Sequence, residues 1–519
     1  MKLNFTKLVD LEISRNKQTM LNMIANAMSF AISLVISFFL SPYIVRKLGA
    51  EANGFVTLAT NFVNYAALIR TALNGVGTRF IMVSYHKGDY EGASKYYSSL
   101  FFGDVFLSII FSVLSIACVW KLEYLVNISE RLVTDVKILF ALIFANFIVS
   151  TVVAVFNSAV ITKNKMYLQS IRDIQSYAIR ALILILLFTL FEPKVFFLGI
   201  ASFVPAIVVA LYNIYYKTKL LPEVHIKKSY FSFSTIRELI GQGIWNSVSS
   251  LGTILMTSLD LLIANLLVGE KEMGVLSIAK SMPNVISSLA TTMGTVFFSM
   301  ITIDYAKGDI KKLISTVKQS TRLVGFITTI PLAFLISYGV EFYSLWQPTL
   351  DAKQLHILSI LTIAGFIVYA GANNIGTLFT VTLHVKERSI VTLLTGVISI
   401  LFTLLLLKTT NLGVYAIAGV SSVVNTISMV IYVVPFGAKY IGQKKTLFLP
   451  VVFRSVTSTA VLCAVGYLLK FIIPSNSWFT LIISATVFAI VSMAVNSVIM
   501  LDKETRNIAI GFIKSKINK

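Results

Sequence analysis

Only two cysteines, Cys118 and Cys463, occur in 519 residues. Both fall inside apolar runs, so neither a disulfide framework nor a thiolate metal site is available. Charge is equally scarce. Only 13% of the residues are charged, against about 25% in a soluble domain. No G-x-x-x-x-G-K-[ST] sequence occurs, which excludes a phosphate-cradling loop of that type. The four histidines, His86, His225, His356 and His384, stand far apart. No pair has ligand spacing, and no metal or other cofactor is expected. Nor is there a nucleophile elbow.

What is present is apolar. Hydrophobic residues make up 56% of the chain and mean hydropathy is +0.82. The apolar runs are continuous and do not alternate, which predicts an all-α integral membrane protein rather than a barrel. Fourteen segments are long enough to span a bilayer. They include 20–45, 54–82, 97–119, 173–191, 195–216 and 355–382. The first continues from a charged N-terminal stretch without a small-residue cleavage site, so it reads as an uncleaved span.

The net charge of +21 is the ordinary signature of cationic loops at an anionic membrane surface, and no nucleic-acid partner is expected. With the N-terminus placed in the cytoplasm, lysines and arginines there outnumber those outside by about three to one. Both termini and the basic loop 217–237 are then cytoplasmic. The external loops are short, the longest running from about Trp120 to Asp135.

The chain also repeats itself weakly at an offset of 220 residues. Gly49 and Gly54 correspond to Gly269 and Gly274, and Asn26, Ser29 and Asn64 to Asn246, Ser249 and Asn284. Tyr85-His86-Lys87-Gly88-Asp89 corresponds to Tyr305-Ala306-Lys307-Gly308-Asp309. The repeat restarts at the seventh span. It predicts two pseudo-symmetric six-helix lobes related by an axis along the membrane normal, plus two C-terminal helices. The expected division is an N-lobe at 1–216, a cytoplasmic basic linker at 217–237, a C-lobe at 238–440, and helices 13 and 14 with the tail at 441–519.

Ionisable groups inside spans are expensive and point to function. Arg70 lies about 24 Å along a helix from Gly54, too deep for an end anchor, and reads as an anion contact. Arg180 and Lys280 are weaker candidates of the same kind. Asp260 and Lys280 flank the turn Gly269–Gly274 at similar depth. They read either as a static ion pair or as an ion-coupling carboxylate beside a substrate-binding lysine. Amides recur as well: Asn22 and Asn26 on the first span, Asn61 and Asn64 on the second, Asn246 on the seventh, Asn374 on the tenth. They fit a hydrated substrate-binding cavity or routine interhelical hydrogen bonds.

Two stretches carry a resemblance. Leu40-Ser41-Pro42-Tyr43-Ile44-Val45-Arg46-Lys47-Leu48-Gly49-Ala50-Glu51-Ala52-Asn53-Gly54 and Ala72-Leu73-Asn74-Gly75-Val76-Gly77-Thr78-Arg79-Phe80, the latter followed by His86-Lys87-Gly88-Asp89, resemble Wzx-type polysaccharide flippases. These belong to the larger group of multidrug, oligosaccharidyl-lipid and polysaccharide exporters. The resemblance implies a fourteen-helix fold with a central cavity in a bacterial cytoplasmic membrane. It implies a substrate of undecaprenyl-diphosphate-linked oligosaccharide, as used for capsule or O-antigen, with a polysaccharide polymerase as a further partner. A drug or metabolite cation-antiporter, a lipid II flippase, a membrane-embedded polymerase and a lipid scramblase are the competing readings. An enzyme is not expected, because the external loops are too short to carry an acid/base site.

Overall fold

The computed structural model describes residues 15–502 and Arg506. The N-terminal tail and most of the C-terminal tail, assigned above to the cytoplasm, lie outside the described residues. Among the described residues every regular element is a helix and none is a strand. Twelve helical segments are long and apolar enough to cross a membrane.

The chain forms two compact units. Among the described residues, the first runs to 254 and takes in 269–274, and the second comprises 255–268 and continues from 275. In the first unit, α1 (Arg15–Leu48), α2 (Ala50–His86), α3 (Tyr90–Trp120), α4 (Val133–Val152), α5 (Met166–Leu190) and α6 (Phe196–Leu220) follow in order, and α7 (Phe233–Thr257) begins there. The second holds α8 (Leu259–Leu267), part of α9 (Glu270–Ala279), α10 (Ser281–Ala306), α11 (Ile310–Trp346) and α12 (Ala352–Ile363). It continues with α13 (Val385–Thr409), α14 (Val414–Ser428), α15 (Val434–Tyr440), α16 (Leu449–Ile472) and α17 (Trp478–Met500).

The expected spans and the observed helices differ in several places. The second span is a single helix of 37 residues, but Asn61, Asn64, Arg70 and Asn74 dilute its apolar run, and it is not among the twelve. The tenth, 355–382, is not one helix. After α12 it breaks into a short helix at Phe366–Tyr369, a 3-10 turn at Ala372–Gly376 and a short helix at Thr377–Val381. Gly365, Gly371 and the pair Asn373-Asn374 supply the weak helix formers, and the Gly365 N–H leaves the ladder to donate to Ser422 Oγ at 2.7 Å.

The first unit breaks at the corresponding place. Helix α4 gives way to a 3-10 turn at Ala154–Asn157 and a short helix at Ser158–Thr162. Each broken segment ends on a non-glycine residue with positive φ, Asn164 at 54° and Leu383 at 61°. The repeat legible over 26–89 thus extends structurally through the fourth helix of each unit. The helix starts after Asp89 and Asp309 match as well: each carboxylate caps its helix, from Gly92 N–H and Lys312 N–H respectively.

Two repeat-related glycines meet within the first unit. A Cβ on Gly54 would stand 2.9 Å from Gly274 Cα, and one on Gly274 would stand 2.5 Å from the Ala50 carbonyl carbon. Backbones this close exclude any side chain. Gly274→Val is therefore expected to destabilise by about 1–3 kcal/mol through overpacking. A lowered thermal midpoint of the purified protein measures it, and an unchanged midpoint refutes the contact.

The basic segment between α6 and α7 is packed, not loose. Ser98 Oγ donates to the His225 carbonyl at 3.1 Å and accepts from Lys227 N–H at 3.2 Å. Ser99 Oγ accepts from Ser232 N–H at 3.1 Å, and Leu221 and Val224 are fully buried.

Candidate functional site

Four helices of the first unit enclose a cavity of about 390 Å³. Each presents one face to it. Val56, Thr60, Val63 and Arg70 come from α2, spaced as a helical stripe. Ile143, Asn146, Phe147 and Ser150 from α4 follow the i, i+3, i+4, i+7 pattern. Ser176, Tyr177 and Arg180 come from α5, and Ala201, Ser202 and Pro205 from α6. Pro205 lacks the N–H that would bond the Ala201 carbonyl. One residue on, the Ser202 carbonyl accepts from Asn146 Nδ2 at 3.0 Å, so α6 offers polar backbone to the cavity wall.

The cavity is cationic. Arg70 and Arg180 both line it and both are half-buried. Arg70 Nη1 donates to Thr151 Oγ1 at 3.4 Å, and its guanidinium lies 5.2 Å from the Phe147 ring centroid. These contacts hold the head group over an aromatic face and occupy one of its five donors. Arg180 has no carboxylate partner among the described residues. The remaining donors are free to meet an anion, in a fork geometry that suits two oxygens of one phosphate.

Behind Arg70 stands Asp104 of α3, fully buried. Its Oδ1 accepts from Asn74 Nδ2 at 2.7 Å, and Asn74 lies one helical turn beyond Arg70. Asp104 Oδ2 has no hydrogen-bond partner. The carboxylate attracts Arg70 electrostatically, without an ion-pair contact. It sits mid-run in the apolar segment 97–119, and that position was the available signal. The inventory of intramembrane charge drawn from the sequence named the cations and Asp260 and left this acid out. The sequence reading also missed Asn146, Ser150, Tyr177 and Ser202, because isolated hydroxyls and amides in spans are too common to single out.

The other candidates lie elsewhere. Lys280 and Asp260 form an ion pair in the second unit, Nζ to Oδ2 at 2.7 Å. Lys280 Nζ also donates to the Thr257 carbonyl at 2.8 Å, and Asp260 Oδ1 accepts from Ser421 Oγ at 3.3 Å. Both side chains are buried. Asn61 is buried and Asn64 exposed on α2, outside the cavity lining. Asn26 on α1 and Asn246 on α7 are exposed. Asn374 is buried in the 3-10 turn of the second unit, with Nδ2 unpartnered. Asn22 binds structure: it donates to the Asn164 carbonyl at 2.8 Å and accepts from Tyr167 N–H at 2.9 Å. It ties α1 to the left-handed turn before α5.

The family model described as "Polysaccharide biosynthesis protein" matches residues 19–302, a stretch that contains all four cavity helices. The chain belongs to the polysaccharide biosynthesis protein family. A relative of this family member is the uncharacterized membrane protein EpsK of Bacillus subtilis (strain 168). The two are 28% identical over 492 residues, which cover 94% of this chain and 97% of that protein. Among solved structures, the fold is shared with a multidrug resistance MATE family transporter of the MOP superfamily in its inward-facing conformation. The TM-score is 0.65 at 16% identity, over 82% of this chain and 98% of that one. It is shared equally with the lipid II flippase MurJ in an inward closed conformation. There the TM-score is 0.63 at 16% identity, over 92% of this chain and 99% of that one. This member of the polysaccharide biosynthesis family is thus a multi-pass membrane protein with a MOP-superfamily fold.

Proposed function

We propose that the chain is a flippase and no enzyme. Its cargo is an undecaprenyl-diphosphate-linked oligosaccharide, carried from the inner to the outer leaflet of a bacterial cytoplasmic membrane by alternating access for capsule or other surface polysaccharide. Fourteen spans in two six-helix lobes, 1–216 and 238–440, with 441–519 appended, are part of the same proposal. The observation that carries it is the pairing of Arg70 and Arg180 on one cavity. A diphosphate leaving water must find fixed cations. The serines and Asn146 beside them suit sugar hydroxyls, which need donors and acceptors in close array. Transport by such a site involves binding and release only, so no covalent step is required.

A cation-antiporter of the same fold depends on a free intramembrane carboxylate. Asp260 is held by Lys280 and Ser421, which favours the anion-carrying reading. A lipid II flippase shares the diphosphate requirement. The two are separated genetically: depletion of this protein is expected to accumulate the oligosaccharide precursor in the cytoplasmic leaflet while cell-wall synthesis continues. Arrest of cell-wall synthesis overturns the assignment.

Orientation has its own test. In a Cys-free background, Asn127→Cys is expected to react with an impermeant thiol reagent added outside, and Ser229→Cys to be spared. The reverse labelling inverts the topology.

A further inference from the structure

Helices α13 and α14 leave an apolar groove along the second unit. Its volume is about 740 Å³, inside the roughly 300–1,000 Å³ range of ligand sites. Aliphatic side chains line it from Val391 to Leu406 on α13 and from Leu412 to Ile431 on the facing side. Any membrane protein shows apolar surface to lipid, so the groove alone selects nothing.

Two features at one end do select. The backbone changes first. Helix α14 passes into a π-helical turn, Met429–Val433, a rare form that concentrates at functional sites. Tyr432, within that turn, lines the groove. The second feature is charge. The Tyr432 ring stacks on Phe436 with centroids 4.6 Å apart. Lys439 Nζ and Lys445 Nζ lie 5.4 and 5.0 Å from the Phe436 centroid. On the other flank Tyr432 meets Phe379 at 5.6 Å, and the Arg388 guanidinium lies over Phe379 at 5.8 Å. Arg388 is committed to the Gly376 carbonyl. Lys439 and Lys445 are exposed, without carboxylate partners among the described residues. The only acid in 377–391 and 432–450 is Glu387.

We propose that this groove binds an anionic phospholipid, with an acyl chain along α13 and α14 and its phosphate at Lys439 and Lys445. Apolar wall, aromatic plates and paired ammonium groups follow one another in the order in which tail, glycerol and phosphate follow in such a lipid. Exposed lysines are compact, hydrated charges on flexible stems. They suit an abundant phosphodiester of the bilayer better than a scarce cargo that needs rigid forks. The site lies in the second unit and is independent of the arginine cavity.

Native mass spectrometry of the purified full chain in neutral detergent tests this, with phosphatidylglycerol and phosphatidylcholine of matched acyl chains. Phosphatidylglycerol is expected to be retained in preference, and more weakly at high salt. The double variant K439Q/K445Q is expected to weaken it by about fivefold per lysine. Val423→Trp, at a groove position that is 55% exposed, is expected to reduce retention of both lipids by filling the channel. Equal retention of the two lipids, or no effect of the lysine changes, overturns the proposal. So does displacement of phosphatidylglycerol by an equal concentration of polyprenyl phosphate, which assigns the groove to cargo. If the lysine variant does not fold, the salt series and Val423→Trp still decide. Transport is not the readout, so failure here leaves the flippase reading untouched.

Discussion

Arg70→Ala is expected to abolish export of the lipid-linked oligosaccharide, with the protein reaching the membrane in normal amount. Arg70 lines a cavity in which the cations are two guanidiniums, and it is the one whose head group is positioned, by Phe147 and Thr151. A charge-assisted hydrogen bond to a buried anion contributes about 1.5–3 kcal/mol. Loss of a two-bond fork therefore weakens binding by at least about 100-fold. Arg70→Lys keeps the charge and loses the fork, so partial export is expected. The repeat partner of Arg70 is Ala290, so the duplication kept the helix and changed this residue. Surface polysaccharide and cytoplasmic-leaflet precursor, measured in a strain without the native copy, are the readouts. Wild-type output from Arg70→Ala would leave Arg70 as a structural group and remove the main support for a phosphate site here.

The second large effect is on stability. Lys280→Ala is expected to destabilise the protein by about 3–5 kcal/mol, because it strands the Asp260 carboxylate in a buried site. Ser421 would remain as its hydroxyl donor, too little for an ionised group. The double change Asp260→Asn, Lys280→Met removes both charges and is expected to cost much less than either single change. The sign follows from desolvation: a paired buried charge roughly breaks even against neutral groups, while an unpaired one does not. Thermal midpoints of the four proteins complete the cycle. Additive losses refute the pairing. Full transport by the folded double variant would remove Asp260 as the ion-coupling residue.

Much of the architecture was legible because a bilayer imposes it. An apolar run of twenty residues has few alternatives to a spanning helix. Continuous runs thus gave the class, and the matched glycines and the Lys-Gly-Asp turns gave the duplication. The breaks in the fourth helix of each unit were not legible. The sequence 355–382 is as apolar as its neighbours, and whether Gly365 stays in a helix depends on Ser422, fifty-seven residues away, taking its N–H. The left-handed turns at Asn164 and Leu383 were hidden for the same reason. In the first unit that turn is held by Asn22 from α1, a tertiary contact.

The candidate site divides along the same line. Sequence alone determined that Arg70, Arg180, Asp260 and Lys280 are costly to insert, since the cost depends only on charge and depth. It could not decide which of them share a space. Packing of α2, α4, α5 and α6 sets Arg70 and Arg180 on one cavity, and in the other unit the packing of α8, the α9–α10 junction and α14 holds Asp260 against Lys280 and Ser421. It also places Asp104, an acid no less costly, in the layer behind Arg70. A helix carries side chains on every face, and only its neighbours determine which face looks into a cavity, which into lipid and which against another charge.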